Sequence, residues 1–465
     1  MRSRIVALAA LAGFASPAHA AGYFFNGVGV RSISRAGAVV ASGDDLSGQY
    51  ANPATLIRVD SQVQFQLAAT HQYIFFDRTD EADLSFESVT SSGGPLPIPH
   101  LGAAWRVSDD LTVAAGFFTP YGAALAFPED GAQRFSLVDS SILHANAGPS
   151  VAWRPIPGLS IGAGVYWTMV QLDQTIIAHV SPAAGFQPTD NPTYDVDTAI
   201  SAGQLNKITW NAGLTYDTGR FGFGVSYTPK VAFEATGSMV ADFTKNGYYT
   251  GTTADGEPIT FNNGSADFIL DATITDDSVT LPLAMPPIAR VGFLFRPSDR
   301  SEIELSGVWQ GWSTLEDVVL TDLDMTIETS FKEPSVVNED VDLPISMKDA
   351  FAVRLGGQRA LSKTLIGRAG LYYESTAAAV AHRSVLAPDA GKVGYGIGAG
   401  MALGRVTLDA GLTQGFSGRS DLSGSQVYQL QIDPLEGDVL RGKTVGNGEF
   451  GLINTAAGLS ASVAL

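Results

Sequence analysis

Residues 207–229, KITWNAGLTYDTGRFGFGVSYTP, carry the alternation that decides the fold. Residues of one parity are apolar, and residues of the other parity are small or polar. The apolar parity comprises Ile208, Trp210, Ala212, Leu214 and Tyr216 and, after the turn DTGR, Phe221, Phe223, Val225 and Tyr227. Successive side chains of a strand point to opposite faces, so this stretch predicts a β-hairpin with one apolar face.

The same alternation recurs along the chain and predicts fourteen strands. They are expected at residues 62–70, 99–106, 111–118, 143–153, 159–170, 208–217, 221–232, 288–296, 301–312, 351–360, 364–374, 393–403, 406–416 and 449–465. The count is even, as it is in single-chain barrels of bacterial outer membranes whose termini lie on one side.

The connections between these strands alternate between short and long. Tight turns such as VSDD (107–110) and RPIPG (154–158) alternate with long polar segments, of which the longest runs from about residue 233 to 287. Short periplasmic turns and long external loops are typical of outer-membrane barrels, whereas a secreted sandwich would lack this rhythm. We therefore predict an all-β fold, a 14-stranded antiparallel transmembrane β-barrel over residues 61–465 with long extracellular loops.

Tryptophans and charged residues indicate which face of the barrel meets lipid. Tryptophans on the apolar parity near strand ends suit the aromatic girdles of a membrane barrel; they are Trp105, Trp153, Trp167, Trp210 and Trp309, whereas Trp312 is not on that parity. A basic residue facing lipid at mid-depth costs about 2–4 kcal/mol. The strand charges lie on the other parity and are expected to face the lumen: Glu302, Glu304, Arg354, Arg368 and Asp409.

The first twenty residues, MRSRIVALAALAGFASPAHA, predict a signal peptide cleaved after Ala20. Their apolar stretch is too short to span a bilayer, so the protein is expected to be exported. The formal net charge of −19 argues against a nucleic-acid partner, which requires a basic surface. The chain has no cysteine, and its acidic loops show no EF-hand spacing, so neither a cofactor nor a metal site is predicted.

Residues 21–60 lie outside the strand rhythm and predict a plug, or hatch, inside the lumen. Within them GQYANPATL (48–56) places Asn52 and Pro53 where a short helix would be capped and begin. A 14-stranded barrel encloses more space than its own side chains fill. Lumen-facing glycines in KVGYGIGAGMAL, at positions 394, 396, 398 and 400, would permit close backbone approach. The alternative is a narrow barrel with little to pack there.

Several motifs resemble the FadL/TodX family of outer-membrane hydrocarbon transporters. SRAGAVVASGDDLSGQYANPATL (34–56) is similar to the family's N-terminal hatch, and FFTPYG (117–122) to its third strand. PPIARVGFLFRPSDRSEIELSGVWQGWSTLEDV (286–318) and LIGRAGLYYESTAAAVAHRSVLAPDAGKVGYGIGAG (365–400) resemble its later strands. The likeness runs from Ala21 to the C-terminus.

The resemblance implies a passive transporter of the bacterial outer membrane that captures a hydrophobic small molecule outside and releases it sideways into the membrane. It assigns Asn52, Pro53 and Ala54 to the hatch motif. The kinked third strand and lateral exit would comprise Phe118, Pro120, Tyr121 and Gly122, and the mature N-terminus, with Tyr23 and Phe24, would reach the ligand pocket. The expected surroundings are outer-membrane lipid and lipopolysaccharide, and the expected state is a monomer.

The ligand stays open between long-chain fatty acids, the favoured class, and aromatic hydrocarbons. The basic residue that meets the fatty-acid carboxylate in the best-studied branch has no clear equivalent in WTMVQLDQTIIAHV (167–180). Arg354 and Arg368 are candidate carboxylate partners, because guanidinium suits that planar anion. Alternatively, they form a polar network with Glu302, Glu304 and Asp409 that braces the wall.

Proteins of other classes are less favoured. An outer-membrane lipid-modifying enzyme would need catalytic residues, but the five histidines beyond the signal peptide are mostly expected at loops or strand ends, and no H-E-x-x-H motif accompanies them. The plug-like segment argues against an open porin. No tandem repeat indicates an adhesin stalk.

Overall fold

The fold is described from a computed structural model. It covers residues 27–80, 85–180, 190–246, 251–252, 258–259, 273–314, 318–322, 324–328, 333–337, 341–343, 347–386, 389–432 and 439–465. The predicted signal peptide and residues 21–26, including Tyr23 and Phe24, lie outside this part of the chain.

Fourteen long strands, β1 to β14, form the main sheet. In chain order they are Gln62–Arg78, Leu96–Ser108, Leu111–Ala126, Asp139–Ile156, Leu159–Val180, Asp195–Asp217, Phe221–Thr228 continued by Val231–Asp242, Thr273–Met285 continued by Ile288–Ser298, Ser301–Gln310, Ala350–Ala360, Leu365–Glu374, Lys392–Leu403, Val406–Ser417 and Gly448–Ala464. The interruptions of β7 and β8 fall at Pro229–Lys230 and Pro286–Pro287, where proline supplies no backbone donor.

The sheet closes into a barrel because β1 pairs with both β2 and β14. The β1–β14 ladder is antiparallel and runs from Gln62↔Ala464 to Arg78↔Gly448. Every further neighbour along the chain is also antiparallel. The predicted 14-stranded antiparallel barrel is therefore confirmed.

Several strands extend further towards their long connections than the alternation indicated. β6 begins at Asp195 rather than 208, and the segment expected to be a loop from 233 contains the distal parts of β7 and β8. These extensions keep alternating burial, as at Phe233, Ala235 and Met239, but their outward residues are polar and weaken the pattern. The expectation that the histidines lie mostly at loops or strand ends was also wrong, since His71, His100 and His144 lie inside strands, whereas His179 is next to the end of β5.

Shorter strands decorate the long connections. They are Val89–Thr90, Gly251–Thr252, Pro258–Ile259, Val318–Leu320, Met325–Ile327, Ser335–Val337, Val341–Leu343, Ser420–Leu422, Tyr428–Ile432 and Val439–Thr444. Three 3₁₀ turns, Pro192–Tyr194, Trp312–Thr314 and Val380–His382, also lie in connections. In the described ranges, no helix has the length and apolar character needed to cross a bilayer.

Residues 27–60, here called the hatch segment, form short helical turns ahead of β1. Helix α1 is Val30–Ser34, helix α2 is Gly48–Ala51, and a 3₁₀ helix spans Pro53–Arg58. The Asn52 side chain accepts a hydrogen bond from the Ala54 amide at 3.1 Å, and Pro53 occupies the first position of the 3₁₀ helix. The local Asn-Pro capping pattern therefore forms as the sequence indicated.

The two faces of the barrel are those that the parity assigned. Trp105, Trp153, Trp167 and Trp210 are exposed, whereas Trp312 is buried. The strand charges expected in the lumen face inward, and Glu304, Arg354, Arg368 and Asp409 are buried. Large apolar side chains such as Phe293 and Leu371 are exposed on the outer face, which is the arrangement that a lipid-facing surface requires.

Candidate functional site

The hatch segment packs its backbone directly against glycines of the inner wall. A Cβ on Gly396 of β12 would lie 2.3 Å from the Ile33 carbonyl oxygen, and one on Gly370 of β11 would lie 2.4 Å from that of Arg35. Gly398 approaches the Ser34 side chain in the same way, whereas Gly394 and Gly400 face side chains of the wall itself. Two of the four predicted lumenal glycines therefore make room for the hatch segment.

Glu304 of β9 is the main acceptor that holds the middle of the hatch segment. Its carboxylate accepts hydrogen bonds from the Val40 amide at 2.7 Å, the Ala41 amide at 3.1 Å and the Ser42 hydroxyl at 2.5 Å. Arg35 donates to Ser42 at 2.6 Å and to Glu302 at 2.9 Å. Hydrogen bonds to a buried charged group are the stronger kind, so this contact stabilises the seated hatch segment.

Asn52 joins two turns of the hatch segment to β6. Besides its cap, its amide donates to the Val40 carbonyl at 2.8 Å and to the Leu214 carbonyl at 3.2 Å. A Cβ on Gly213 would lie 2.1 Å from the Asn52 side-chain oxygen, so glycine is required there. Within the hatch motif, Asn52 therefore joins the hatch segment to β6 by hydrogen bonds. Pro53 and Ala54 supply the helical turn and a close backbone contact with Gly162.

Arg368 belongs to an ionic network between the wall and the hatch segment. Its guanidinium contacts Asp409 at 2.7 Å and donates to Gln358 at 3.0 Å. Arg31 contacts the other Asp409 oxygen at 3.0 Å and Asp44 at 3.4 Å, and Gln358 donates to Asp44 at 3.1 Å. Arg368 therefore has a carboxylate partner within the protein.

Burial alone would raise the pKa of the Asp44 carboxyl. The guanidinium groups of Arg31, Arg368 and Arg35 outweigh this effect and lower the pKa to about 2. The neighbouring Asp45 behaves oppositely, because burial raises the pKa of its carboxyl despite the nearby Arg31. Asp44 therefore carries the charge that holds this end of the network.

A large apolar cluster, here called the apolar interior, lines the barrel beyond the hatch segment. It is built mainly from inward-facing residues of β3 to β10, with Val28 and Tyr50 from the hatch segment and further residues from the long connections. Its largest members include Phe118, Tyr121, Tyr166, Phe233, Phe243, Met239, Met285 and Trp312. Such a surface suits an apolar ligand because burial from water is favourable in proportion to apolar area.

Aromatic rings form a continuous row through the apolar interior. Tyr121 makes edge contacts with Trp312 at 6.1 Å and with His144 at 5.3 Å between ring centroids. His144 in turn contacts Phe233 at 5.9 Å. Phe118 packs edge-on against Tyr166 at 5.1 Å. The predicted residues Phe118 and Tyr121 therefore lie in this interior rather than on the outer face.

Arg290 of β8 places a positive charge at the edge of the apolar interior. It is buried, and its guanidinium lies 4.5 Å from the centroid of the Tyr50 ring. Nη1 donates to the Thr228 hydroxyl at 3.4 Å, and Nη2 has no hydrogen-bond partner among the described residues. Arg290 was not among the predicted site residues, and its inward parity in IARVGF (288–293) is the one sequence signal that points to it.

Arg354 lies close to Arg290 but has a carboxylate neighbour. Its Nη2 is 3.7 Å from Glu374 of β11, and Lys392 of β12 contacts the same carboxyl group at 3.2 Å. These three basic residues and Glu374 are all buried. Arg354 therefore has a carboxylate neighbour within the protein, which it shares with Lys392.

A small void separates the start of the hatch segment from the wall. It has a volume of about 20 Å³ and is lined in part by Val28, Ile33, His100 and Tyr372. This is room for about one water molecule. A larger ligand would have to displace residues at the start of the hatch segment.

The third strand is irregular at FFTPYG (117–122), where the family resemblance implied a kink. Its ladder with β4 shifts between Phe118 and Tyr121, which leaves Thr119 and Pro120 as a bulge. Its ladder with β2 ends at Phe117, although β3 continues to Ala126. Beyond that point β3 and β2 are unpaired within the described strands, so the wall is weakened between them.

Together, the exposed apolar belt, the closed barrel and the hatch segment packed against the inner wall define a transmembrane β-barrel of the outer-membrane type. The chain belongs to the OMPP1/FadL/TodX family of outer membrane transport proteins, whose family model matches residues 11–448. Among curated proteins, a Neisseria meningitidis serogroup B protein described as an outer membrane protein is 30% identical over 129 residues. That match spans 26% of this chain and 28% of the relative's length.

Solved structures show the same fold at low sequence identity. A Pseudomonas aeruginosa FadL homologue has a TM-score of 0.73 and 17% identity, covering 96% of this chain and 100% of that one. The Pseudomonas putida toluene transporter TodX has a TM-score of 0.65 and 16% identity, with the same coverage. The Ralstonia pickettii toluene transporter TbuX has a TM-score of 0.61 and 16% identity, covering 95% and 99%. The protein is thus a bacterial outer-membrane barrel of a family that transports hydrophobic compounds.

Proposed function

We propose that the protein takes up long-chain fatty acids passively across the outer membrane. The ligand enters from outside, resides in the apolar interior and leaves sideways into the bilayer, while the hatch segment acts as a plug. The observation that carries this proposal is a buried guanidinium group, Arg290, with an unpartnered nitrogen at the edge of an apolar, aromatic-rich interior.

Transfer energetics support an apolar route over a water-filled one. A sixteen-carbon chain gains about 0.8 kcal/mol for each methylene removed from water, or on the order of 12 kcal/mol. The apolar interior preserves that gain during passage, and release into lipid preserves it afterwards. The route requires no energy-consuming step.

The ionic contacts favour Arg290, with support from Arg354, as the head-group partner. Arg368 is already paired with Asp409, and Arg354 with Glu374. Nη2 of Arg290 can donate to a carboxylate without breaking a described contact. The alkyl chain would then extend along Phe118 and Tyr166, which pack beside Tyr50.

For release, the weakened wall between β2 and β3 is the proposed exit. Phe118, Pro120, Tyr121 and Gly122 are buried at this irregularity, and Phe118 and Tyr121 also belong to the apolar interior. A ligand there lies next to the strand edge that faces the bilayer. We further propose that Tyr23 and Phe24 contact the ligand, as the family resemblance implies.

Aromatic hydrocarbons are the second candidate ligand class. The row formed by Trp312, Tyr121, His144 and Phe233 offers ring edges and faces at 5.3–6.1 Å spacing. Aromatic pairs at such distances add about 0.5–1.5 kcal/mol beyond their buried area. This row would hold a small ring without any need for Arg290.

Equilibrium binding of oleate and methyl oleate to purified protein tests the proposal. Arg290→Gln should weaken oleate binding about 10- to 150-fold, because a hydrogen bond to a charged group contributes about 1.5–3 kcal/mol. Methyl oleate, which lacks the anion, should bind both proteins alike. Arg419→Gln, in the exposed pair with Glu449, is the matched control. Equal affinity of the native protein for oleate and its ester, together with tighter binding of toluene, would favour aromatic hydrocarbons.

A further inference from the structure

A second weakness in the wall lies between β6 and β7. These strands pair from Asp197↔Asp242 to Gly203↔Thr236, and again from Ala212↔Tyr227 to Asp217↔Gly222. The two paired stretches of β6 and β7 have the same register. Between them, residues 204–211 and 228–235 are all described, yet no ladder pair joins them. We call this interruption the β6–β7 split; it lies four strands round the barrel from the β2–β3 irregularity.

Both edges of the split carry their own irregularities. On β6, the ladder with β5 passes from Lys207↔Thr168 to Gln204↔Val170 and skips two residues. On β7, the break falls at Pro229, opposite the Pro286–Pro287 break of β8. Because proline cannot donate to a ladder, the β7 edge of the split lacks a backbone donor at Pro229.

Side chains replace part of the missing backbone pairing along the edges. The Trp167 indole donates to the Leu205 carbonyl at 2.5 Å, and the Gln204 side-chain oxygen accepts from the Glu234 amide at 2.9 Å. Lys230 donates to the Thr314 carbonyl at 2.8 Å. An unsatisfied backbone group in lipid costs several kcal/mol. These contacts therefore stabilise an open pair of edges.

The split separates two apolar surroundings. On the inside, Val231, Phe233 and Ala235 are buried in the apolar interior. On the outside, Leu205 and Ile208 are 60% and 68% exposed. The inner side of the split is thus continuous with the aromatic row, at the contact of Phe233 with His144.

The position of the split along the barrel places it towards the outer leaflet. Its lower end lies seven or eight residues above the tight turn between β6 and β7, which is about 20 Å at the rise and tilt of barrel strands. The apolar band of such barrels is about 25 Å tall. The split therefore begins in the upper part of that band and continues above it, so that Phe233, five residues beyond its lower end, lies at about the level of the outer-leaflet head groups.

We infer that the β6–β7 split is a lateral opening through which apolar ligands pass between the apolar interior and the outer leaflet, with Phe233 as its inner gate. This inference rests on the proposed uptake function. It adds a membrane-facing route separate from the one beside β3.

Cross-linking across the split tests the route, and the cysteine-free chain makes site-specific linkage simple. In Leu205→Cys/Ala232→Cys, two exposed residues on opposite edges are joined by a short bis-maleimide. The control is Phe293→Cys/Leu305→Cys, an exposed register pair of the intact β8–β9 ladder. Oleate uptake by cells lacking their own transporter should fall at least about fivefold on linking the split pair only. Equal uptake by the two linked proteins would overturn the inference.

Labelling from the bilayer tests whether the β6–β7 split is open, independently of oleate uptake. A pyrene maleimide dissolved in the membrane should react with Phe233→Cys much faster than with Val308→Cys, which is equally part of the apolar interior but lies behind intact ladders. Equal, slow labelling of both positions would show that the split is closed. If native protein transports no oleate, the proposed function fails, and this labelling still decides whether the wall opens here.

Discussion

Glu304→Gln is expected to loosen the hatch segment without unfolding the barrel. The native carboxylate is fully buried and accepts hydrogen bonds from Val40, Ala41 and Ser42. Glutamine keeps one acceptor oxygen but turns an N–H group towards a backbone donor. Since hydrogen bonds to a charged group contribute about 1.5–3 kcal/mol each, the seated state should lose about 2–4 kcal/mol.

Hydrogen exchange measured by mass spectrometry can report this change locally. A loss of 2–4 kcal/mol corresponds to an opening equilibrium about 30- to 700-fold more favourable. Peptides containing Val40 and Ala41 should exchange faster by that factor, whereas peptides from β12 and β13 should not change.

Glu449→Gln is the matched control, because Glu449 pairs with Arg419 at a solvent-exposed site far from the hatch segment. Both variants should keep the heat-dependent electrophoretic shift of a folded barrel. Unaltered exchange at Val40 and Ala41 in a folded Glu304→Gln barrel would refute the assignment of this carboxylate as the main anchor.

Three further perturbations probe the same segment. Asn52→Ala should destabilise the seated hatch segment by about 1–2 kcal/mol, because it removes the cap and the hydrogen bond to the Val40 carbonyl. Hydrogen exchange near residues 50–56 should become faster. Asn191→Ala, at an exposed Asn-Pro cap, is the control. Gly370→Ala should displace the hatch at Arg35 and cost about 1–3 kcal/mol by overpacking, whereas Gly307→Ala, whose nearest atom is 3.4 Å away, should be neutral in thermal unfolding. Because the pKa of Asp44 is lowered from 3.8 to about 2, the stabilisation that its carboxylate gives the seated hatch segment is complete above pH 4 and is lost between pH 4 and 2. Hydrogen exchange of the hatch segment, corrected for intrinsic rates, should therefore speed up in acid, and Asp44→Asn should remove this acid sensitivity. An undiminished acid sensitivity in Asp44→Asn would contradict the assignment.

The fold was largely predictable because its signal is local. Alternation assigned all fourteen strands and the inward side of Glu304, since each depends only on neighbouring residues. The parts of the strands nearest the long connections, such as residues 195–207 of β6, were missed. Their outward side chains face water and polar loops rather than lipid, so the apolar alternation is lost there. The Asn52 cap was also predictable, as it joins residues two positions apart.

The candidate site was less predictable because its contacts join distant parts of the chain. Arg368 and Arg290 look alike in the sequence, yet Asp409 neutralises the first and the second keeps an unpartnered nitrogen. The β6–β7 split leaves no trace in parity counts, because the register is the same on both sides of it. The eight missing residue pairs between β6 and β7 are seen only when both strands are placed side by side in the structure.

The seam between the first and last strands has a consequence for biogenesis. The hatch segment leads directly into β1, and β1 closes the cylinder by pairing with β14, which follows all the other barrel strands along the chain. The hydrogen bonds of the hatch segment to β9 and its close packing against β11 and β12 therefore need strands that come much later in the chain. The hatch segment therefore cannot form these contacts until the later strands have been made.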